Sequence, residues 1–194
     1  MAYSAKKFDH LLGLAGFSDT LLTNHFTLYE GYVKNTNALS EKLKAIVEKG
    51  ETASPEFAEL KRRFGWEWNG MRMHELYFGN MTKEATTLSH ETLKAKLAEI
   101  YGSYENWAKN FIATGAMRGI GWVVLAHDTE SGKLYNVWVN EHDTGHLVGT
   151  TPLLVMDVFE HAFVLDYGLK PADYITAFMK AIDWSVVEKR FEHQ

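Results

Sequence analysis

After Ser18 and Asp19, a pair suited to capping a helix, the stretch TLLTNHFTLYEGYVKNTNALSEKLKAIVEKG repeats its apolar positions at helical spacing until Gly50. The pattern predicts one long helix or a helical hairpin over residues 18–49. SPEFAELKRRFG then offers Ser54 as a cap and Pro55 at a first helical position, and it stops at Gly65, which predicts a short second helix. WEWNGMRMHELYFGN is aromatic on several faces and predicts a third, buried helix. From Asn80 to His90 the chain turns polar with repeated Thr, and the boundary between two halves is placed there. The second half opens helically in SHETLKAKLAEIYGSYENWAKNFIATGA and then changes period. GWVVLAHD, KLYNVWVNEHD and TTPLLVMD are rich in Val, Leu, Trp and Tyr, with a turn at TESGK, and predict three antiparallel strands. PADYITAFMKAIDWSVVEKRF returns to helix with a break near Asp183. The expected fold is α+β: an N-terminal helical hairpin domain, 1–88, followed by a C-terminal domain, 89–194, in which helices surround a three-stranded antiparallel sheet.

With 194 residues, 46% of them hydrophobic, the chain can bury a substantial core. It contains no run of about 18 apolar residues and no basic start followed by an apolar stretch, so a soluble, cytoplasmic protein without a membrane partner is expected. The absence of Cys excludes disulfides, thiolate zinc sites, iron–sulfur clusters and a cysteine nucleophile, and any metal must use nitrogen and oxygen ligands. A net charge of -5, with Lys and Arg mixed among Asp and Glu, leaves no footprint for nucleic acid.

One segment conflicts with its own hydropathy. PLLVMDVFEHAF is apolar enough to be a buried strand yet ends in Asp157, Glu160 and His161, groups that resist burial unless partnered. Asp157 and His161 stand four apart, a spacing that lets both face one ion across a helical turn, although a buried ion pair explains the same pattern. Three more histidines lie in aromatic-rich helices or at a strand end: His25 in LTNHFTLY, His74 in MRMHELYF and His142 in NEHD. Singly, each reads as a core or surface histidine bonded to a carbonyl. Together, three imidazoles and a carboxylate make a site for iron, manganese, cobalt or zinc.

DVFEHAF resembles the DVWEHAY signature of the iron/manganese superoxide dismutases, and other landmarks of that family come in order along residues 8–191. HFTLYEGYVKNTN resembles the first ligand helix, running into YVxNxN; WNGMRMHELYF resembles the second. GIGWVVL matches a GSGWxxL strand, GTTPLLVMD the strand before the aspartate, and DYITAFMKAIDW the final helix. The resemblance implies that His25, His74, Asp157 and His161 bind one iron or manganese ion per subunit between the two domains, with a bound water or hydroxide as fifth ligand. It implies that His142 bonds that solvent, that superoxide is the substrate, and that the chain forms a homodimer or a tetramer. Glu160 would accept a hydrogen bond from the ligand histidine of the other subunit, so Glu160 and His161 are the expected dimer contacts. Trp66, Trp68 and Trp122 would make a dry wall around the site, for which simple core packing is the alternative.

The chain also departs from the family pattern. Where the family has a second histidine one turn after the first ligand, this chain has Tyr29, and its gateway tyrosine falls one residue further along than Tyr32. A deletion of one residue rotates every later position by about 100° on a helix, so either Tyr32, favoured by motif, or Tyr29 is the gateway hydroxyl. Phe163 stands where the family has the tyrosine that would bond the missing histidine, and Phe159 replaces a common Trp. The family's steering arginine aligns with Pro171, leaving Lys34 and Lys170 as candidate guides for an anion. Two rival readings stand beside dismutation: a non-redox metal-dependent hydrolase, and a slow structural or binding member of the same fold.

Overall fold

The computed structural model describes residues 2–84, 86–88 and 92–193. Helix α1, Asp19–Glu48, is a single 30-residue helix whose cap Ser18 accepts a hydrogen bond from the Leu21 amide at 3.0 Å. Helix α2, Pro55–Gly79, is also unbroken: the two helices expected on either side of Gly65 are one. Glycine in a helix interior costs only about 1 kcal/mol, and α2 buries Glu67, Gly70, Met71, Met73, His74 and Glu75 beyond it. Burial of that face overrides the local stop signal. The two helices form an antiparallel hairpin in which Asn35 meets Glu67, Tyr32 lies on Gly70 and Tyr29 meets Glu75.

The predicted second-half helix divides at Gly102, which takes the left-handed conformation at φ 83°, into α3, Leu93–Tyr101, and α4, Tyr104–Gly115. Its expected first residues, Ser89 to Glu91, and with them the domain boundary at 88/89, lie outside the described residues. The strands fall where the apolar runs predict them. Strands β1, Gly121–Asp128, and β3, Thr150–Asp157, match the predicted runs, and β2, Lys133–Asn140, stops before Glu141. The sheet order is β2-β1-β3, all antiparallel, with Trp122 opposite both Val139 and Asp157. A register shift between Leu125 and Ala126 lets Pro152, which has no N–H to give, sit in the edge strand β3.

After β3 come a 3-10 turn, Glu160–Ala162, the short helix α5, Val164–Tyr167, and then α6, Pro171–Ala181, and α7, Trp184–Glu192, which break at Ile182 and Asp183. Asn80 locks the halves together. Fully buried at the end of α2, it accepts from the Val155 amide at 2.9 Å and donates to the Val155 carbonyl at 3.2 Å, pairing with β3 as another strand would. The Met81–Ile182 bridge continues that seam. Among the described residues no helix is long and apolar enough to cross a membrane.

Candidate metal centre

Four elements bring the cluster together. His25 comes from α1, His74 from α2, and Asp157 and His161 from the end of β3 and the turn after it; one ligand-capable atom from each lies within 4.8 Å of all the others. The Asp157–His161 spacing works without the expected α-helical turn. Asp157 is the last strand residue, its Oδ1 accepts from the Phe159 amide at 2.8 Å, and the 3-10 turn swings His161 back over Oδ2. That second oxygen is the focus: His161 Nε2 lies 3.1 Å from it, His25 Nε2 3.2 Å and His74 Nε2 3.7 Å.

His25, His74 and Asp157 are buried, and burial pulls both imidazoles below their ordinary pKa, His74 the further because His25 adds to the effect. Burial also opposes the charge on Asp157, but the His161 and His25 imidazoles outweigh it and hold the carboxyl well below its usual range. The centre thus sets one anion against the neutral imidazoles of His25 and His74. His74 Nδ1 donates to the Gly70 carbonyl at 2.6 Å, which leaves the Nε2 lone pair facing the cluster. His25 Nε2 and His74 Nε2 are buried without a hydrogen-bond partner among the described residues. Unpartnered buried nitrogens are costly unless something accepts their lone pairs. Three imidazole nitrogens and one carboxylate oxygen converging on one point fit a divalent or trivalent first-row metal ion.

Beside the cluster, Trp122 Nε1 donates to His142 Nδ1 at 3.0 Å, so the ring proton of neutral His142 sits on Nε2 and is donated to the Tyr32 hydroxyl at 2.8 Å. Burial lowers the His142 pKa to about 4, in keeping with the neutral ring. Both nitrogens of His142 are therefore engaged, and it meets the cluster through Tyr32 rather than directly. Tyr32 stacks on His74 with ring centroids 5.1 Å apart, and burial raises its pKa.

Tyr29 turns elsewhere. Its hydroxyl accepts from the Lys6 amide at 2.9 Å and donates to Glu75 at 3.1 Å, and burial raises its pKa to about 12. The structure thus separates the two candidate hydroxyls by their partners. Seven residues is close to two helical turns, so on the unbroken α1 Tyr32 returns to the face of His25 despite the shortened spacing.

Phe159, where the family commonly has Trp, stacks on His142 at 4.8 Å and on His161 at 5.0 Å. Trp66 packs 4.5 Å from His142, and Trp122 5.0 Å from His74. Trp68 is not part of this wall: six residues from His74 places it about 120° around α2, where its indole N–H donates to Tyr3. Phe163 stacks on Tyr174, whose hydroxyl donates to the Asp157 carbonyl at 2.6 Å. Lys34 and Lys170 are exposed. A cation that the motifs did not single out, Arg63, lies 3.9 Å from the Trp66 ring centroid and pairs with Glu67.

Glu160 is exposed, and the His161 side chain keeps 28% of its surface. A shallow depression beside them is lined by Leu21, Asn24, Val164 and Leu165. The buried carboxylates Glu67 and Glu75 are paired, with Arg63 and with Lys6 and Arg72 respectively, so neither is poised as a hydrolytic base.

Residues 88–190 match the family model described as iron/manganese superoxide dismutases, C-terminal domain. The chain is 37% identical over 176 residues to "Superoxide dismutase [Mn] 2" of Haloferax volcanii, covering 90% of this chain and 87% of that protein. It is 37% identical over 191 residues to "Superoxide dismutase [Fe]" of Aquifex pyrophilus, covering 95% and 89%. A third relative, "Superoxide dismutase [Fe]" of Cupriavidus metallidurans, is 35% identical over 183 residues, 92% of this chain and 90% of its own. The chain belongs to the iron/manganese superoxide dismutase family.

Proposed function

We propose that this member of the family disproportionates superoxide to dioxygen and hydrogen peroxide, using one iron or manganese ion per chain held by His25, His74, Asp157 and His161. The observation that carries the reading is the pair of buried, unpartnered imidazole nitrogens turned toward a single carboxylate oxygen. Relatives bearing both metals in their names span most of the chain. An ion in this position supplies a one-electron couple between trivalent and divalent states, and a solvent molecule is proposed as its fifth ligand.

Two superoxide anions and two protons give one dioxygen and one hydrogen peroxide, so the protein has to deliver protons to a dry site. Tyr32 is the proposed carrier. Its hydroxyl oxygen accepts from His142 Nε2, which frees the phenolic proton to point away from His142 and toward the cluster. Trp122 acts one step back by fixing the His142 tautomer. Phe159, Trp66 and Trp122 exclude bulk water, which strengthens the attraction between Asp157 and a cation. Tyr29 is assigned no proton-transfer role, because its hydroxyl serves Glu75 and Lys6.

The chain is proposed to act as a homodimer across the depression beside His161. A second copy would cover that partly exposed imidazole and the neighbouring exposed Val164, Leu165 and Leu169, and would pair Glu160 with the opposite His161. Loss of the dimer by light scattering in Glu160→Ala is the expected outcome.

The function is tested by reconstituting the protein separately with iron, manganese and zinc and following superoxide decay by stopped flow. Catalysis with iron or manganese and none with zinc is expected. Equal rates with zinc, or no catalysis with any metal at full occupancy, would overturn the reading.

A further inference from the structure

A cavity of about 700 Å³ lies between α2 and the sheet, and none of the cluster residues, nor Tyr32 or His142, lines it. That volume falls within the roughly 300–1,000 Å³ typical of small-molecule sites. Val124, Ala126 and Val139 of the sheet, Pro152 of the edge strand, and Met73 and Leu76 of α2 give it an apolar interior.

The polar groups at its borders are unevenly charged. At one end Arg72 Nη1 and Lys6 Nζ lie 2.7 and 3.0 Å from the same oxygen, Glu75 Oε2, so two cations share one carboxylate. Arg72 lies over Tyr3 and Trp68, with its Cζ 5.0 and 5.4 Å from the two ring centroids, and among the described residues its N–H groups donate to Glu75 alone. Most of its five donors therefore remain to meet a second acceptor. At the opposite border Arg190 donates to the Leu76 and Leu153 carbonyls. Two cations against one carboxylate make the Arg72 end electropositive in a chain of net charge -5. The Lys6 head is the more exposed of the two cations, its side chain keeping 60% of its surface against 35% for Arg72, and both border the apolar interior.

We propose that the cavity binds an amphiphilic monocarboxylate, its apolar body against the sheet and its carboxylate on Arg72 and Lys6. Glu75 shows that this pair already seats carboxylate oxygens, and the planar guanidinium suits a second such group. The inference does not depend on the proposed chemistry, because the cavity and the cluster share no residue.

The probe is decanoate, titrated into metal-loaded protein by calorimetry, with decylammonium as the charge-reversed control. Amide chemical shifts locate the site, with the largest changes expected at Val124, Ala126 and Val139. Saturable binding of one decanoate per chain is expected, weakened at least tenfold in Arg72→Gln and abolished in Leu76→Trp, whose indole fills the cavity. Metal content and superoxide turnover serve as the folding check, and both are expected unchanged in the two variants. If one variant fails this check, the other still decides. No saturable binding, equal binding of decylammonium, shifts confined to other surfaces, or full affinity in a folded Leu76→Trp protein would each overturn the proposal. So would a concentration-dependent rise in oligomeric state beyond the proposed dimer that decanoate does not reverse, which would make a further copy the occupant.

Discussion

At the scale of single residues, proton delivery turns on which hydroxyl serves the cluster. Tyr29 and Tyr32 are three residues apart on one helix, both buried, and both are possible gateways from the motif alone. Their partners divide them. Tyr32→Phe removes the hydroxyl bonded to His142 and should leave metal content near normal while lowering turnover by an order of magnitude or more, since positioned proton donors contribute about 10²–10⁴-fold. Tyr29→Phe should leave turnover unchanged and cost about 1 kcal/mol of stability, from the lost bonds to Glu75 and the Lys6 amide. Stopped-flow assays and urea melts of the two variants check both outcomes, and a larger turnover loss in Tyr29→Phe would reverse the assignment. The four donors are legible in the sequence because each sits in a motif with ordered neighbours. The Trp122–His142–Tyr32 chain is not, because a hydrogen bond between residues 20 and 110 positions apart leaves no local periodic trace.

At the scale of elements, the α1–α2 hairpin sets the distance between Tyr32 and the ligand helix through Gly70. A Cβ added there would lie 2.6 Å from Tyr32 Cδ1, whereas one added at Gly65, on the same helix, meets nothing within 4 Å. The two glycines therefore predict opposite results. Gly65→Ala should stabilise the protein by about 0.5–1 kcal/mol, the helix-propensity gain. Gly70→Ala should cost about 1–3 kcal/mol from overpacking and lower turnover by displacing Tyr32. Thermal melting and superoxide decay of both variants check this, and a neutral Gly70→Ala would contradict the packing described. The same pair shows why the sequence suggests two helices where there is one. Gly65 looks like a helix stop, but a glycine with helical backbone is only a weak breaker once its neighbours are buried, and burial by a distant partner is invisible locally. The strands are legible because β1 and β3 are apolar runs bounded by turns. The turn carrying His161 is not, because an i,i+4 spacing does not distinguish an α-helix from a strand end leading into a 3-10 turn.

At the scale of the whole molecule, two halves of different architecture close over a centre that neither supplies alone. His25 and His74 come from the helical hairpin, and Asp157 and His161 from the chain leaving the sheet. Burying these imidazoles neutral has a consequence for the metal-free protein. The folded chain keeps His25, His74 and His142 below their ordinary pKa, His142 at about 4, while the unfolded chain takes up protons near 6.5. Below that pH the unfolded state binds more protons, so stability falls as pH falls. For His142 alone the loss reaches about 3 kcal/mol by pH 4. Urea midpoints of metal-free protein should drop steadily between pH 7 and 4.5, and a flat profile would contradict the buried neutral rings. Whether the four side chains hold one redox-active ion is decided by the metal content of purified, reconstituted protein beside that of Asp157→Ala. About one iron or manganese per chain is expected in the parent and almost none in the variant. Equal metal in both would refute the shared site.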